Sequence, residues 1–594
     1  MLARMNVVAP AGLVLLLSAA FALSDSPVAD AAMEGDAAGV QTLLQSGADV
    51  NEPQPDGMTA LHWAADRNDE GVAKLLLDAG GDVTARTRIG EYTPLLVASR
   101  RGNAEVIRVL LAGGADVDLR TTTAGTSALH FAAAAGRTQA LELLIEAGAE
   151  MNARERSHGH TPLMFASAAN QAGAIRILLD NGADPALQNE VVSMEEISKE
   201  DARLQEERNE RVAAEQARRA REAALARGET VAEEEVQEEV QVGADAPETV
   251  ADSAPQPPRE EGVIQPLTYA GLIGEYGGFT ALHLAARDGN VEAVEALLEG
   301  GAELNQKSAG DGSTPLLVAT INGHWDLAME LLDRGADPNL SSDAGATPLY
   351  GVINLQWAAH SFYPQPTAHR NATVNYLEAM EKLLQAGADP NIRLEKNLWF
   401  KTYNFNLLGV DAMGATPFWR AAYGTDVQAM RLLLEYGADP HVATRTPPQR
   451  QRQGGEEEED PSGLPPAQYG DPSLTPLHAA TGAGYGLGRA GNQHRHHPHG
   501  WMAATRFLVE ELGMDVNARD HMGYTPLHNA ASRGDVEMIR YLVDRGADVM
   551  VISRRGQTTA DMANGPVQRI TPFPEAIDLL VSLGATNNNN CQSC

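Results

Sequence analysis

Cysteine is almost missing from this chain: its 594 residues hold two, Cys591 and Cys594, spaced CxxC. No internal disulfide framework and no cysteine-based zinc finger can support the fold. Haem attachment would require CxxCH, and no histidine follows Cys594, so the pair reads as a local disulfide or an inert tail. Positive charge is scarce as well: Lys plus Arg number 45 against 80 Asp plus Glu, a formal charge of −35. Such a field repels nucleic acid, and no basic stripe with interleaved aromatics offsets it. Aromatics make up 5% of the residues. Nucleophile motifs, phosphate-cradling glycine loops and paired carboxylates in a recognisable setting are all lacking, so no enzyme activity, catalytic residue or cofactor is expected. After the first 25 residues no apolar run is long enough to cross a bilayer.

What fills the sequence instead is repetition. The stretch Gly523 to Val549 shows the unit. Thr525 suits a helix cap, Pro526 the first helical position, and Leu527 to Arg533 two short turns that Gly534 ends. Asp535 then caps a second helix, in which Val536, Ile539, Leu542 and Val543 recur at helical spacing before Gly546 stops it. Copies begin at Gly57, Gly90, Gly125, Gly159, Gly278, Gly312, Gly345, Gly414 and Gly556, with a divergent one around Leu474. Gly57 to Gly90, Gly312 to Gly345 and Gly523 to Gly556 are each 33 residues apart. TALHWAA at Thr59, TPLLVAS at Thr93, SALHFAA at Ser127, TALHLAA at Thr280, TPLHAAT at Thr475 and TPLHNAA at Thr525 accompany that period, and GADVN or GADPN endings close most copies. In these motifs the chain resembles the ankyrin repeat family. The resemblance implies an all-α solenoid of helix-turn-helix units with short hairpin links, in which stacking supplies the core. It also implies that His62, His130, His283, His478 and His528 bond locally and stiffen the turn.

Taken in order, residues 1–24 read as a signal peptide: Arg4, an apolar run from Leu13 to Leu23, and small residues before Asp25. Export to a periplasm or the exterior follows, with an uncleaved N-terminal anchor as the competing reading and no stable membrane insertion after cleavage. Residues 25–188 are expected to form an N-terminal array whose capping repeat, Asp30 to Asn51, has an abbreviated first helix. Residues 189–277 read as a linker dividing that array from the rest, with a charged helix from Met194 to Arg227 and an acidic stretch expected to be disordered. A second array, 278–443, carries insertions around Leu355 to Tyr376 and Leu394 to Met413. An acidic, proline-rich loop at 444–472 is expected to be disordered. A C-terminal array, 473–585, holds a His-rich insertion, and 586–594 is a tail.

The expected function is a non-catalytic scaffold that binds a partner protein through the concave, insertion-bearing face of the solenoid. At the positions that line this face in the family lie Tyr92, Arg100, Arg101, Phe279, Arg287, Asp288, Tyr524 and Arg533. Thirteen Trp, Tyr and Phe residues fall between Tyr350 and Tyr436, and from these Trp357, Trp399 and Tyr403 are expected to be exposed anchors, whereas Phe418 and Trp419 belong to the core. The alternative is a metal-binding or redox protein using the CxxC and His494, His496, His497 and His499, although no carboxylate or cysteine near those imidazoles completes a ligand set.

Overall fold

After the first, each repeat starts where a threonine or serine closes the first turn of an inner helix. Thr93 accepts the Leu96 N–H at 3.4 Å ahead of the helix Pro94–Arg101, with Pro94 at the position that needs no donor. Where the signature histidine follows, it does more than stiffen that turn. His130 Nδ1 takes the N–H of Ser127 at 3.3 Å and its hydroxyl at 2.8 Å, while Nε2 reaches the carbonyl of His160 in the next repeat at 3.0 Å. His62 and His478 reach Tyr92 and Tyr524 in the same way, at 2.9 and 3.1 Å. Donation from Nε2 leaves Nδ1 as acceptor, so each ring is a neutral strut between neighbouring repeats.

The computed structural model describes residues 26–227, 267–358, 366–398, 410–448, 460–485, 494–565 and 571–589. The expected signal segment, Trp399, Tyr403, Cys591 and Cys594 lie outside them. The described residues are almost wholly helical and fall into two compact units, one containing residues up to Glu190 with Phe279–Glu303, the other Val191–Gly278 with Leu304 onward.

In the first unit the inner helices Ala60–Arg67, Pro94–Arg101, Ala128–Ala135 and Pro162–Ala168 alternate with the outer helices Glu70–Asp78, Ala104–Ala112, Thr138–Glu146 and Ala172–Asp180. Alanines at the inner contacts, among them Ala64, Ala65, Ala132 and Ala133, are fully covered and let those helices approach closely. Leu76, Leu110, Leu144 and Leu178 repeat one buried position along the outer row. Truncating one of them to alanine costs roughly 2–5 kcal/mol. The capping repeat is not abbreviated: Pro27–Glu34 is a full inner helix that begins before Asp30 and buries Val28, Ala29 and Ala32.

The insertion after Glu190 does not divide this stack. The helices Ala281–Asp288 and Val291–Glu299 pack on Pro162–Ala168 and Ala172–Asp180 as the next repeat would. Asn290 Nδ2 donates to the Ser167 carbonyl at 2.9 Å, and Asn170 Oδ1 accepts the Ala293 N–H at 3.0 Å. A linker between arrays was the wrong description, because the repeat's buried face outweighs the separation of its ends, and a longer loop adds little closure entropy. The insertion closes on itself: Val191–Ser193 pairs antiparallel with Glu275–Gly277, Ser193 opposite Glu275. Beyond the pair runs the exposed helix Met194–Ala226, supported by ion pairs such as Arg218–Glu215 at 2.9 Å and Arg219–Glu215 at 2.8 Å.

The second unit repeats the scheme with six helix pairs among its described residues, from Pro315–Asn322 with Trp325–Asp333 to Thr559–Asn564 with Pro574–Ser582. The asparagine of each GADVN-like ending holds its copies in register. Asn339 Oδ1 accepts the Asp389 N–H at 2.7 Å, and its Nδ2 donates to the Gly387 carbonyl at 2.8 Å. Asn391 does the same to Asp439 and Gly437, at 2.7 and 3.0 Å. Gly437 is at φ +86, where a side chain would be strained. These clamps span 46 to 50 residues where Asn517 spans 29 and 31, so the insertions loop out and leave the stacking step unchanged.

Candidate functional site in the first unit

Inner helices expose the face that is not stacked, and in the first unit this face carries rings. The residue after the signature histidine, or after its replacement, is Trp63, Phe131 and Phe165 in three of the repeats, each half-buried. Tyr92 joins them from a hairpin, 5.7 Å from Phe131 between centroids, with Arg100 5.1 Å above its ring. Between Pro162–Ala168 and Ala281–Asp288 the row opens into a cleft of about 320 Å³ lined by His160, Met164, Phe165, Ala168, Ala169, Leu284 and Arg287. Small Ala168 and Ala169 leave the space, and Met164 replaces the signature histidine on its wall. At the rim Arg287 holds both oxygens of Asp288 at 2.8 and 3.0 Å. That pair is exposed, so it contributes little to stability and can open for another carboxylate.

The hairpin leading to this cleft differs from its counterparts. Glu155 is 4% exposed, and its carboxylate accepts the N–H groups of Ser157 at 2.6 Å, His158 at 2.7 Å and His160 at 3.2 Å. Burial pushes its pKa up, but these N–H groups outweigh that and hold it below the usual carboxylate value. His158 and His160 lie near-parallel with centroids 5.3 Å apart, each with Nδ1 toward Glu155. Burial lowers the His160 pKa despite the carboxylate beside it. These three are the one group among the described residues whose ligand atoms lie close enough to share a metal ion.

The residues singled out from sequence divide sharply. Tyr92, Arg100 and Arg101 share the first unit with Phe279, Arg287 and Asp288. Arg101 is paired with Asp66 at 2.7 Å, and Phe279 stacks on His283 at 5.3 Å. One anchor and two positions expected on the concave face are corrected. Trp357 is buried, and its Nε1 donates to Asp426 at 3.0 Å. Tyr524 is buried with its hydroxyl on Gln557 at 2.6 Å. Arg533 stacks 3.6 Å over Trp501 and pairs with Asp535 at 3.0 Å. In each case a neighbouring repeat covers the position. Phe418 and Trp419 are buried. The four histidines of the insertion do not converge on one point. His494 is buried against Tyr423, 4.3 Å between centroids, and His496 Nε2 accepts from Trp501 at 3.2 Å. His496 and His497 use Nδ1 on the backbone carbonyls of His497 and Pro498, at 3.0 and 2.9 Å, and His499 is exposed in the left-handed region.

Trp63, Phe131, Phe165, Glu155, His158 and His160 carry no site motif in the sequence. The rings were legible as the variable position inside TALHWAA, SALHFAA and TPLMFAS. The hairpin cluster was legible only as ERSHGH, a short polar string without the spacing of any familiar metal motif. No helix among the described residues is long and apolar enough to cross a membrane.

Comparison with known proteins agrees with the repeat architecture. The family description "Ankyrin repeats (3 copies)" matches residues 28–121, 113–189 and 263–350, and "Ankyrin repeats (many copies)" matches 508–563. Among curated proteins, alpha-latrocrustotoxin-Lt1a of Latrodectus tredecimguttatus is 27% identical over 281 residues, 46% of this chain and 15% of the toxin. Human protein phosphatase 1 regulatory subunit 27 is 39% identical over 71 residues, 12% of this chain and 46% of its own. The human mitochondrial disaggregase is 32% identical over 162 residues, 27% of this chain and 22% of its own. The chain spans less than half the length of each, and what is shared is the repeat. With the helix pairs, the histidine struts and these matches agreeing, the chain belongs to the ankyrin repeat family.

Proposed function

We propose that the protein is a non-catalytic scaffold that receives a partner protein on the inner-helix face of its first unit. An apolar side chain of the partner enters the cleft, and a carboxylate beside it takes the place of Asp288 on Arg287. The observation that carries this is the cleft of about 320 Å³ with an apolar lining and one exposed guanidinium at its rim. Half-buried rings provide contact area at low entropic cost, and arginine adds a directional group for a carboxylate. Kinship with a protein named as a phosphatase regulatory subunit supports a binding role. Phe165→Ala and Arg287→Glu in the full chain are each expected to weaken capture of the partner about tenfold, about 1.4 kcal/mol, with the unfolding midpoint nearly unchanged. Undiminished capture by both variants would refute the site.

The same reading places the protein outside the cytoplasm, on the strength of Arg4 and the Leu13 to Leu23 run. N-terminal sequencing of the folded protein should find a start near Asp25, and a retained Met1 would refute cleavage.

A further inference from the structure

The Glu155 hairpin carries more than the repeat requires. At the same place in three other hairpins a hydroxyl suffices: Thr87 accepts the Tyr92 N–H at 3.0 Å, Thr121 that of Thr126 at 3.0 Å, and Ser308 that of Ser313 at 3.1 Å. Glu155 takes the equivalent His160 N–H at 3.2 Å, so the turn is satisfied while a buried negative charge is added. Two imidazoles then face that charge. The equivalents of His158 are Gly90, Ala124 and Asp311, and those of His160 are Tyr92, Thr126 and Ser313, so the turn closes without either histidine. His160 lies edge-on to Phe165, 6.3 Å between centroids, much as Tyr92 meets Phe131, but His158 is exposed, and a buried carboxylate faced by both rings departs from the pattern in a way that points to function.

We propose that Glu155, His158 and His160 bind a divalent transition-metal ion of the zinc class. Glu155 Oε1 lies 3.9 Å from His158 Nδ1 and 3.6 Å from His160 Nδ1, and all three ligand atoms fall within 4.8 Å of one another. Zinc bonds of about 2.0–2.2 Å in a tetrahedron set neighbouring ligand atoms about 3.3 Å apart, so the site closes with side-chain shifts of up to about 1.5 Å. His158 is exposed and free to make that shift, whereas Glu155 is anchored by its three N–H bonds. One carboxylate oxygen and two imidazole nitrogens leave a fourth position for water or a partner's group. Nickel and copper suit the same donors, and the order of affinities favours copper.

Two neighbours oppose the ion: the Arg287 guanidinium, whose charge disfavours a cation at His160, and Asn189. Asn189 Oδ1 accepts the Phe279 N–H at 2.6 Å, which turns Nδ2 toward His160 Nε2 at 3.2 Å. A donor there wants a lone pair on Nε2, but ligation through Nδ1 requires the proton on Nε2. Asn189 therefore weakens the site. Asn189→Asp presents an acceptor to that proton, keeps an oxygen for Phe279, and is expected to tighten binding about tenfold.

Titration of the full-length, tag-free protein with zinc, by calorimetry and by chelator competition, tests the assignment. One site is expected in the parent, weakened at least tenfold in both His158→Gln and Glu155→Thr and tightened in Asn189→Asp. It should persist in a triple variant with His496, His497 and His499 changed to glutamine. Glu155→Thr restores the hydroxyl used by the other hairpins, and His158 is exposed, so both variants should keep the metal-free unfolding midpoint. Zinc should raise that midpoint only where the triad is intact. Equal affinity in the parent, His158→Gln and Glu155→Thr would overturn the proposal, as would absence of binding by the parent or loss of the site only in the triple variant.

Discussion

Trp357 shows how much a single contact changes the meaning of a residue. In sequence it is an aromatic beside an insertion; in the structure its ring is covered and its Nε1 shares Asp426 Oδ2 with the Tyr376 hydroxyl, at 3.0 and 2.8 Å. The same aspartate caps the helix Val427–Glu435 by accepting the Ala429 N–H. Nearby, Arg420 is buried with Nε on Asn354 at 2.8 Å and Nη2 on the Trp357 carbonyl at 2.6 Å, and burial lowers its pKa. Tryptophan here joins two repeats and offers no surface to a partner. Trp357→Phe keeps most of the apolar volume but removes the donor, and is expected to cost about 1–3 kcal/mol. Denaturant unfolding would show that loss, while partner capture through the first unit stays at the parental level.

At the scale of elements, the insertions are tolerated because the asparagine clamps that set the stacking step lie outside them. The Asn339 and Asn391 clamps bridge long excursions, and the insertion from Val191 to Gly277 returns to its starting point through a two-strand pair. The register, with Ser193 opposite Glu275, is that of a hairpin whose turn has been replaced by some 80 residues. Replacing residues 194–274 by Asn-Gly, which favours the tight turn such strands need, should therefore leave folding intact. Circular dichroism and a midpoint within a few degrees of the parent are expected. Unfolding of the flanking repeats would mean that the exposed helix or Tyr269–Ile273 contributes to the stack. The charged helix itself was legible in sequence to within a residue, since i,i+4 pairs need no tertiary partner. Its closing strands were not, because three-residue strands have no periodicity to read.

For the whole molecule, the buried histidines couple stability to pH. Burial lowers His130 and His478 to about 4 and His528 to about 3, and it lowers His62 as well. Unfolded, each titrates near 6.5, so as pH falls the unfolded chain takes up protons first and gains relative to the folded one. The stabilisation is complete above about pH 6.5 and is lost progressively as pH falls through the range down to about 4. For His130 and His478 it is on the order of 3 kcal/mol each. Asp520 acts in the opposite sense: burial pushes it up to about 7, which favours the folded state as pH drops from 7, and burial raises Asp411 as well, so these two offset part of the loss. Urea midpoints measured from pH 7.5 to 4 should therefore decline below pH 6.5, and a flat profile would contradict the neutral struts.

The repeat, its period, its caps and the all-helical class are determined by local sequence alone, because Thr-Pro caps, left-handed glycines and helical spacing act within a dozen residues. The apolar faces of the outer helices could be read for the same reason, whereas the role of the signature histidines came from the family resemblance. What tertiary structure decided was accessibility and convergence. Whether Trp357, Tyr524 and Arg533 face solvent depends on a neighbouring repeat folding over them, and His494 to His499 sit adjacent in sequence yet point to different partners. Conversely Glu155, His158 and His160 meet only because one hairpin curls its side chains around a buried carboxylate, and the cleft beside them exists only because the repeat after a long insertion returns to stack on the one before it.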